Sequence, residues 1–179
     1  MLYLIGGCAR SGKTILGKRL VRKKAMPLIP TDAIYWTLRT VAPQLEIDNR
    51  SSFPKYQKDF EPYLFGIARN LSGCWDDAAI EGATILPKHV SRLDKGKGNV
   101  RSVFIGWSSV NVDTVLKYEG ANAWLKTVPE NEREGIAKDM VKVSRHLEKE
   151  CNKHNLPYVD MAAGPYRSQI KVALEALIS

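Results

Sequence analysis

Gly7-Cys8-Ala9-Arg10-Ser11-Gly12-Lys13-Thr14 is the stretch that decides the fold. It matches the pattern G-x-x-x-x-G-K-[ST] without a mismatch. Ahead of it, Leu2-Tyr3-Leu4-Ile5 is a short apolar run rich in strand formers and bounded by Gly6-Gly7, which predicts a buried strand. Behind it, Ile15, Leu16 and Leu20 recur at helical spacing among Lys18, Arg19, Arg22 and Lys23. Strand, glycine-rich turn and helix in this order are the context in which the pattern binds phosphate. The glycines let the backbone curl so that successive N–H groups face an anion, and the helix starting near Lys13 adds its positive dipole end. Gly7, Cys8, Ala9, Arg10, Ser11, Gly12, Lys13 and Thr14 therefore read as a nucleoside triphosphate loop. Lys13 would reach the β and γ phosphates, and the Thr14 hydroxyl would ligate magnesium. The bland alternative is a chance glycine turn with a surface lysine, and the flanking strand and helix argue against it.

Further along, short apolar stretches alternate with helical patterns. Met26 to Pro30, Ala78-Ala79-Ile80 with Glu81-Gly82, Arg101 to Trp107 and Leu156 to Met161 predict strands. A helix is expected over Ala33 to about Thr40, capped by Thr31-Asp32, with others over Tyr56 to Leu71, His89 to Leu93 and Asn111 to Tyr118. Ile136, Met140, Val143, Leu147 and Cys151 mark a long amphipathic helix over about 130–152, and Ile170, Ala173, Leu174 and Leu177 mark a terminal one. Gln44 to Pro54 and Lys95-Gly96-Lys97-Gly98 read as loops. Alternation of this kind predicts an α/β fold, a three-layer α/β/α P-loop NTPase arrangement around a five-stranded parallel sheet. At 179 residues, one domain over 1–179 is expected.

The chain carries 27 Lys and Arg against 19 Asp and Glu, a net charge of +8. That excess favours anionic partners, phosphates being the simplest. Nucleic acid is not singled out, because no arginine-rich tail or aromatic-interleaved basic run appears. Cys8, Cys74 and Cys151 are far apart, so neither a disulfide framework nor a zinc pair is suggested, and His89, His146 and His154 do not supply one. The short apolar opening lacks a charged leader, and no apolar run is long enough to span a bilayer, so a cytoplasmic location without a membrane partner is expected.

In an open parallel sheet ligands gather beyond the carboxyl ends of the strands. Asp32, after the second strand, would orient an acceptor hydroxyl or take its proton, although a helix cap would satisfy it equally. Glu81, ending the third, would hold magnesium through water or grip a substrate hydroxyl, because burying a charge without a partner is costly. Arg39 and Arg50 flank the polar loop where an anionic acceptor would be held. Tyr35 and Trp36 would stack on a ring or fill the core.

Gly7-x4-Gly12-Lys13-Thr14, Pro30-Thr31-Asp32 and Ile80-Glu81-Gly82-Ala83-Thr84-Ile85-Leu86-Pro87 together resemble the small P-loop kinases of the nucleotide-kinase-like group. The last stretch is similar to the Glu-Gly-x-x-x-x-Pro run of 2-phosphoglycerate kinase, with Ala83-Thr84 where a histidine would be expected. No second magnesium motif of four hydrophobes and Asp is present. The resemblance implies ATP and Mg2+ as cofactors, an acceptor-binding helical region over about 32–75 and an arginine-bearing lid over about 120–145. Within that lid Arg133 is the first candidate, Lys126 the second and Arg145 a third. A solvated Arg133 paired with neighbouring glutamates is the competing account. No guanine-reading Asn-Lys-x-Asp run appears near the last strands, which favours ATP.

The function expected is an ATP phosphotransferase, a kinase acting on a small metabolite or nucleotide. The catalytic residues would be Lys13, Asp32 and Arg133, the metal ligands Thr14 and Glu81, and the substrate residues Asp32, Arg39, Arg50 and Glu81. A polynucleotide-end kinase and a nucleotide-dependent binding switch with slow ATPase activity are the alternatives.

Overall fold

A computed structural model describes residues 1–47, 53–117 and 128–179. Arg50, Lys126 and the lid stretch 120–127 lie outside the described residues. Among those described, β1 (Leu2–Gly7), β2 (Leu28–Pro30), β3 (Ala78–Gly82), β4 (Val100–Gly106) and β5 (Tyr158–Asp160) form one sheet. The strands are all parallel, in the order β2-β3-β1-β4-β5. The helices are α1 (Lys13–Lys24), α2 (Thr31–Val41), α3 (Phe53–Cys74), α4 (Pro87–Asp94), α5 (Val112–Lys117), α6 (Glu130–Lys153) and α7 (Tyr166–Ile178). None is long and apolar enough to cross a membrane.

Period-2 alternation in β1 builds a core on each face of the sheet. Tyr3 and Ile5 pack with Leu16 and Leu20 of α1, Met140 of α6 and Ile170 of α7. Leu2 and Leu4 pack with Phe60 and Leu64 of α3 and Val90 of α4. Leu4, Ile80, Phe104 and Leu64 are wholly buried, and each such side chain stabilises by about 1.5–3 kcal/mol.

Strand register gathers the candidate site residues. Ile5 pairs with Glu81, Pro30 also pairs with Glu81, Gly7 pairs with Ile105, and Gly106 pairs with Asp160. The loops that leave β1, β2, β3, β4 and β5 therefore start from one row along the carboxyl edge.

The start of α2 differs from expectation. The helix begins at Thr31 with Pro30 at the N-cap, and no side chain caps it. Thr31 packs onto Gly82 so closely that a β carbon there would lie 1.7 Å from the Thr31 Oγ1. Its hydroxyl is thereby committed to packing, and Asp32 becomes an exposed first-turn acid instead of a cap. A 3-10 turn at Pro43–Leu45 and Pro62 inside α3 were also not anticipated.

Glu61 of α3 fastens that helix to α4. Its carboxylate takes Lys88 Nζ at 3.0 Å and His89 Nε2 at 3.1 Å, and it pairs with Arg92. Burial pushes the Glu61 carboxyl up, but hydrogen bonds from Arg92, Lys88 and His89 outweigh it and bring the pKa down to about 2. His89 is fully buried and accepts the Leu86 N–H on Nδ1, so its proton sits on Nε2 facing Glu61. Burial lowers its pKa from 6.5 to about 4, against the opposing pull of Glu61. The unfolded chain thus binds the extra proton between these values, and the His89 contribution is full above 6.5 and lost as pH falls to about 4. The Glu61 contribution is lost lower, between 4.5 and about 2. Stability from His89 should drop by about 3 kcal/mol across its window. Denaturant melts at successive pH values check this, and His89→Gln should flatten the upper part of the profile.

Candidate active site

The phosphate-binding loop joins β1 to α1 across the carboxyl edge. Gly12 adopts φ +101°, and a β carbon there would lie 2.1 Å from the Tyr166 Oη. Both the backbone conformation and the close approach of α7 require glycine. Gly12→Ala should therefore lower the thermal midpoint and weaken ATP-analogue binding, and adding Tyr166→Phe should recover only part, because the φ strain remains. Calorimetry of the single and double variants checks this. Arg10 also has positive φ, 60°, and its Nη1 donates to the Val115 carbonyl of α5 at 3.4 Å.

Two donors converge on the Cys8 carbonyl, Ser11 Oγ at 2.9 Å and Lys13 Nζ at 2.6 Å. They pin the first bend of the loop. The Cys8 thiol is buried and donates to the Ala9 carbonyl at 3.3 Å, and burial pushes its pKa up against the pull of Lys13. It therefore stays protonated. The Leu16 N–H reaches back to the Gly12 carbonyl at 3.0 Å. The N–H groups earlier in the first turn of α1 are those a helix leaves for an anion.

Thr14 Oγ1 donates to Glu81 Oε1 at 2.9 Å, which joins the loop to the end of β3. Glu81 is 5% exposed. Burial raises its pKa, Lys13 and the Thr14 hydroxyl lower it, and Asp32 raises it again. Lys13, Thr14 and Asp32 therefore all act on the Glu81 carboxylate. Among the described residues Thr14 is the one hydrogen-bond donor to this buried carboxylate, which leaves most of its acceptor capacity unfilled. A divalent cation between Thr14 and Glu81 fits that deficit.

Beyond β2, Asp32 is exposed at the start of α2, and its charge is felt by Tyr56 of α3 as well as by Glu81. Gln57 Nε2 donates to the Ala83 carbonyl at 3.3 Å, bringing α3 over the loop after Glu81. The Thr31 and Thr84 hydroxyls are buried there without a partner among the described residues. Tyr35 is core, edge-on to Tyr56 with ring centroids 5.4 Å apart, whereas Trp36 is exposed. Arg39 donates to the Tyr35 hydroxyl at 3.0 Å and lies over the Trp36 ring.

No family model matches the chain, and no curated protein is significantly similar to it. Solved structures do match. A gluconokinase from Sinorhizobium meliloti 1021 has a TM-score of 0.61 at 16% identity, over 98% of this chain and 90% of its own. A sugar kinase from Janibacter sp. HTCC2649 has a TM-score of 0.62 at 17% identity, over 99% and 94%. The shikimate kinase from Aquifex aeolicus has a TM-score of 0.54 at 19% identity, over 99% and 96%. This is the P-loop kinase fold.

Within the P-loop kinase fold, the expected lid arginines are engaged by backbone. Arg133 Nε donates to the Val128 carbonyl at 2.9 Å, closing the turn into α6. Arg145 Nε donates to the Ser108 carbonyl at 3.1 Å. The structure does not bring either to Lys13 or Glu81 through a described contact.

Sequence reasoning passed over Asp160 at the end of β5. Its carboxylate accepts from Ser108 Oγ at 3.1 Å, the Ser109 N–H at 2.9 Å and the Ala162 N–H at 2.9 Å. It ties the loops after β4 and β5 together on the active edge of the P-loop kinase fold. The rule that picked Asp32 and Glu81, an acid closing an apolar strand, would have found it. Gln57 carried no such signal, because its role depends on where α3 crosses the sheet.

Proposed function

We propose that this protein is an ATP- and magnesium-dependent kinase that transfers the γ-phosphoryl group to a hydroxyl of a small anionic acceptor. The observation that carries this is the bond from Thr14 to the buried Glu81, with the charge of Asp32 felt at the same carboxylate. A loop that only bound and released nucleotide would have no use for a second, exposed acid on the acceptor side.

Thr14 and Glu81 would hold magnesium, which would supply positive charge to offset that of the phosphates. Lys13 would leave the Cys8 carbonyl and place its ammonium on the β and γ phosphates. Asp32 would accept a hydrogen bond from the acceptor hydroxyl, orienting its lone pair in line with the γ phosphorus and taking the proton as the bond forms. Arg39, and Arg50 farther along the chain, would meet an acidic group of the acceptor. Arg133 would add positive charge from the lid side.

The names of the similar structures, gluconokinase, shikimate kinase and sugar kinase, support a small hydroxylated acceptor. The Glu81 to Pro87 stretch adds phosphorylated hydroxy acids to the candidates. The test is a screen of pooled metabolites for an ATP-dependent mass gain of one phosphate unit. One acceptor should appear, with ADP released in proportion. ATP turnover indifferent to every pool would overturn the reading.

A further inference from the structure

The groove between α5 and α6 carries a charge pattern that the phosphoryl-transfer site does not use. It is a cleft of about 420 Å³ with an apolar lining from Val112 and Val141, a cationic one from Lys138, Lys142, Arg145 and Lys149, and the imidazole of His146. Among the described residues no acidic side chain lines it. Lys138 is paired with Glu134, but Lys142, Arg145, His146 and Lys149 make no ion pair among the described residues. The guanidinium of Arg145 rests on the neutral Ser108 and Val110 carbonyls, so its charge is not cancelled.

Spacings of four, three and four put Lys138, Lys142, Arg145 and Lys149 on one face of α6, a stripe about 16 Å long at 1.5 Å per residue. Like charges at these spacings destabilise a helix, so folding alone does not favour a stripe in which Lys138 alone has an acidic partner among the described residues. One strand of duplex presents a phosphate about every 3.4 Å, so about five lie along the same length. Among the described residues no aromatic side chain lines the cleft, and they do not supply the base stacking that holds single strands.

We propose that the α5–α6 groove binds the phosphate backbone of a nucleic acid duplex, without regard to sequence. The groove lies on the β4 side of β1, whereas Asp32 and Arg39 lie on the β2 and β3 side. A duplex held there would leave the acceptor side open, and the binding stands apart from the kinase reading.

The experiment is fluorescence anisotropy of a labelled duplex titrated with the protein between about 50 mM and 200 mM salt. Four backbone contacts predict a slope of log affinity against log salt near about −4, and a loss of about a hundredfold over that range. Lys142→Ala/Lys149→Ala, both exposed, should reduce the slope by about two and weaken low-salt binding at least about tenfold. ATP-analogue affinity and thermal midpoint should not move. Lys18→Ala/Lys23→Ala on α1 removes the same charge elsewhere and should leave duplex binding within about twofold. Absence of duplex binding at low salt, equal losses in the two double variants, or tighter binding of single strands or inorganic polyphosphate than of duplex would each overturn the proposal.

Discussion

Lys13→Ala is expected to lower phosphoryl transfer about a thousandfold while leaving the fold intact. Removing one neutral donor from a developing oxyanion costs about a hundredfold to a thousandfold, and an ammonium placed on the γ phosphate should cost at least the upper figure, about 4 kcal/mol. The folded protein without nucleotide loses little. Among the described residues Lys13 donates only to the Cys8 carbonyl, which keeps Ser11 Oγ as a donor, so the expected destabilisation is about 1 kcal/mol or less. ATP consumption lowered about a thousandfold with a thermal midpoint within about 4 °C of the parent is the expected pairing of results. Activity within tenfold of the parent would remove Lys13 from the transition state.

Asp32→Asn should be nearly as severe but should separate binding from chemistry. The amide keeps the size of the side chain and loses the basicity, so general-base assistance worth about a hundredfold to ten-thousandfold disappears. Asp32 caps nothing through its side chain, and its favourable position near the positive end of α2 contributes only about 0.3–1 kcal/mol, so folding survives. The KM for ATP should stay within about twofold, because Asp32 lies on the far side of Glu81 from the phosphate loop. Steady-state kinetics with the acceptor found by the metabolite screen decide this, and unchanged kcat would take Asp32 out of the mechanism.

The order of strands and helices was legible because each element carries its own period. Leu2 to Ile5 alternates across two cores, and Met140 and Leu147 recur along α6 at helical spacing. The phosphate loop was legible because its glycines serve local backbone needs, as Gly12 shows with its positive φ. Asp32 and Glu81 were found by rule, as acids closing apolar strands. What failed was the local account of α2, where Thr31-Asp32 has the composition of a cap yet Pro30 holds that position. The cause is non-local, since Thr31 is drawn against Gly82, a strand 51 residues away in sequence that pairs beside its own.

By itself, then, the sequence determined the alternating α/β architecture and the loop that would grip a triphosphate, since both follow from periodicity and backbone freedom within a few residues. The tertiary structure alone decided which charges meet. Strand register set Glu81 beside Thr14, packing turned His89 into a neutral strut on Glu61, and the pairing of α5 with α6 opened a cationic groove that no short stretch of sequence displays. Charges interact through space over a few ångströms, and chain separation says nothing about that distance until the sheet is assembled.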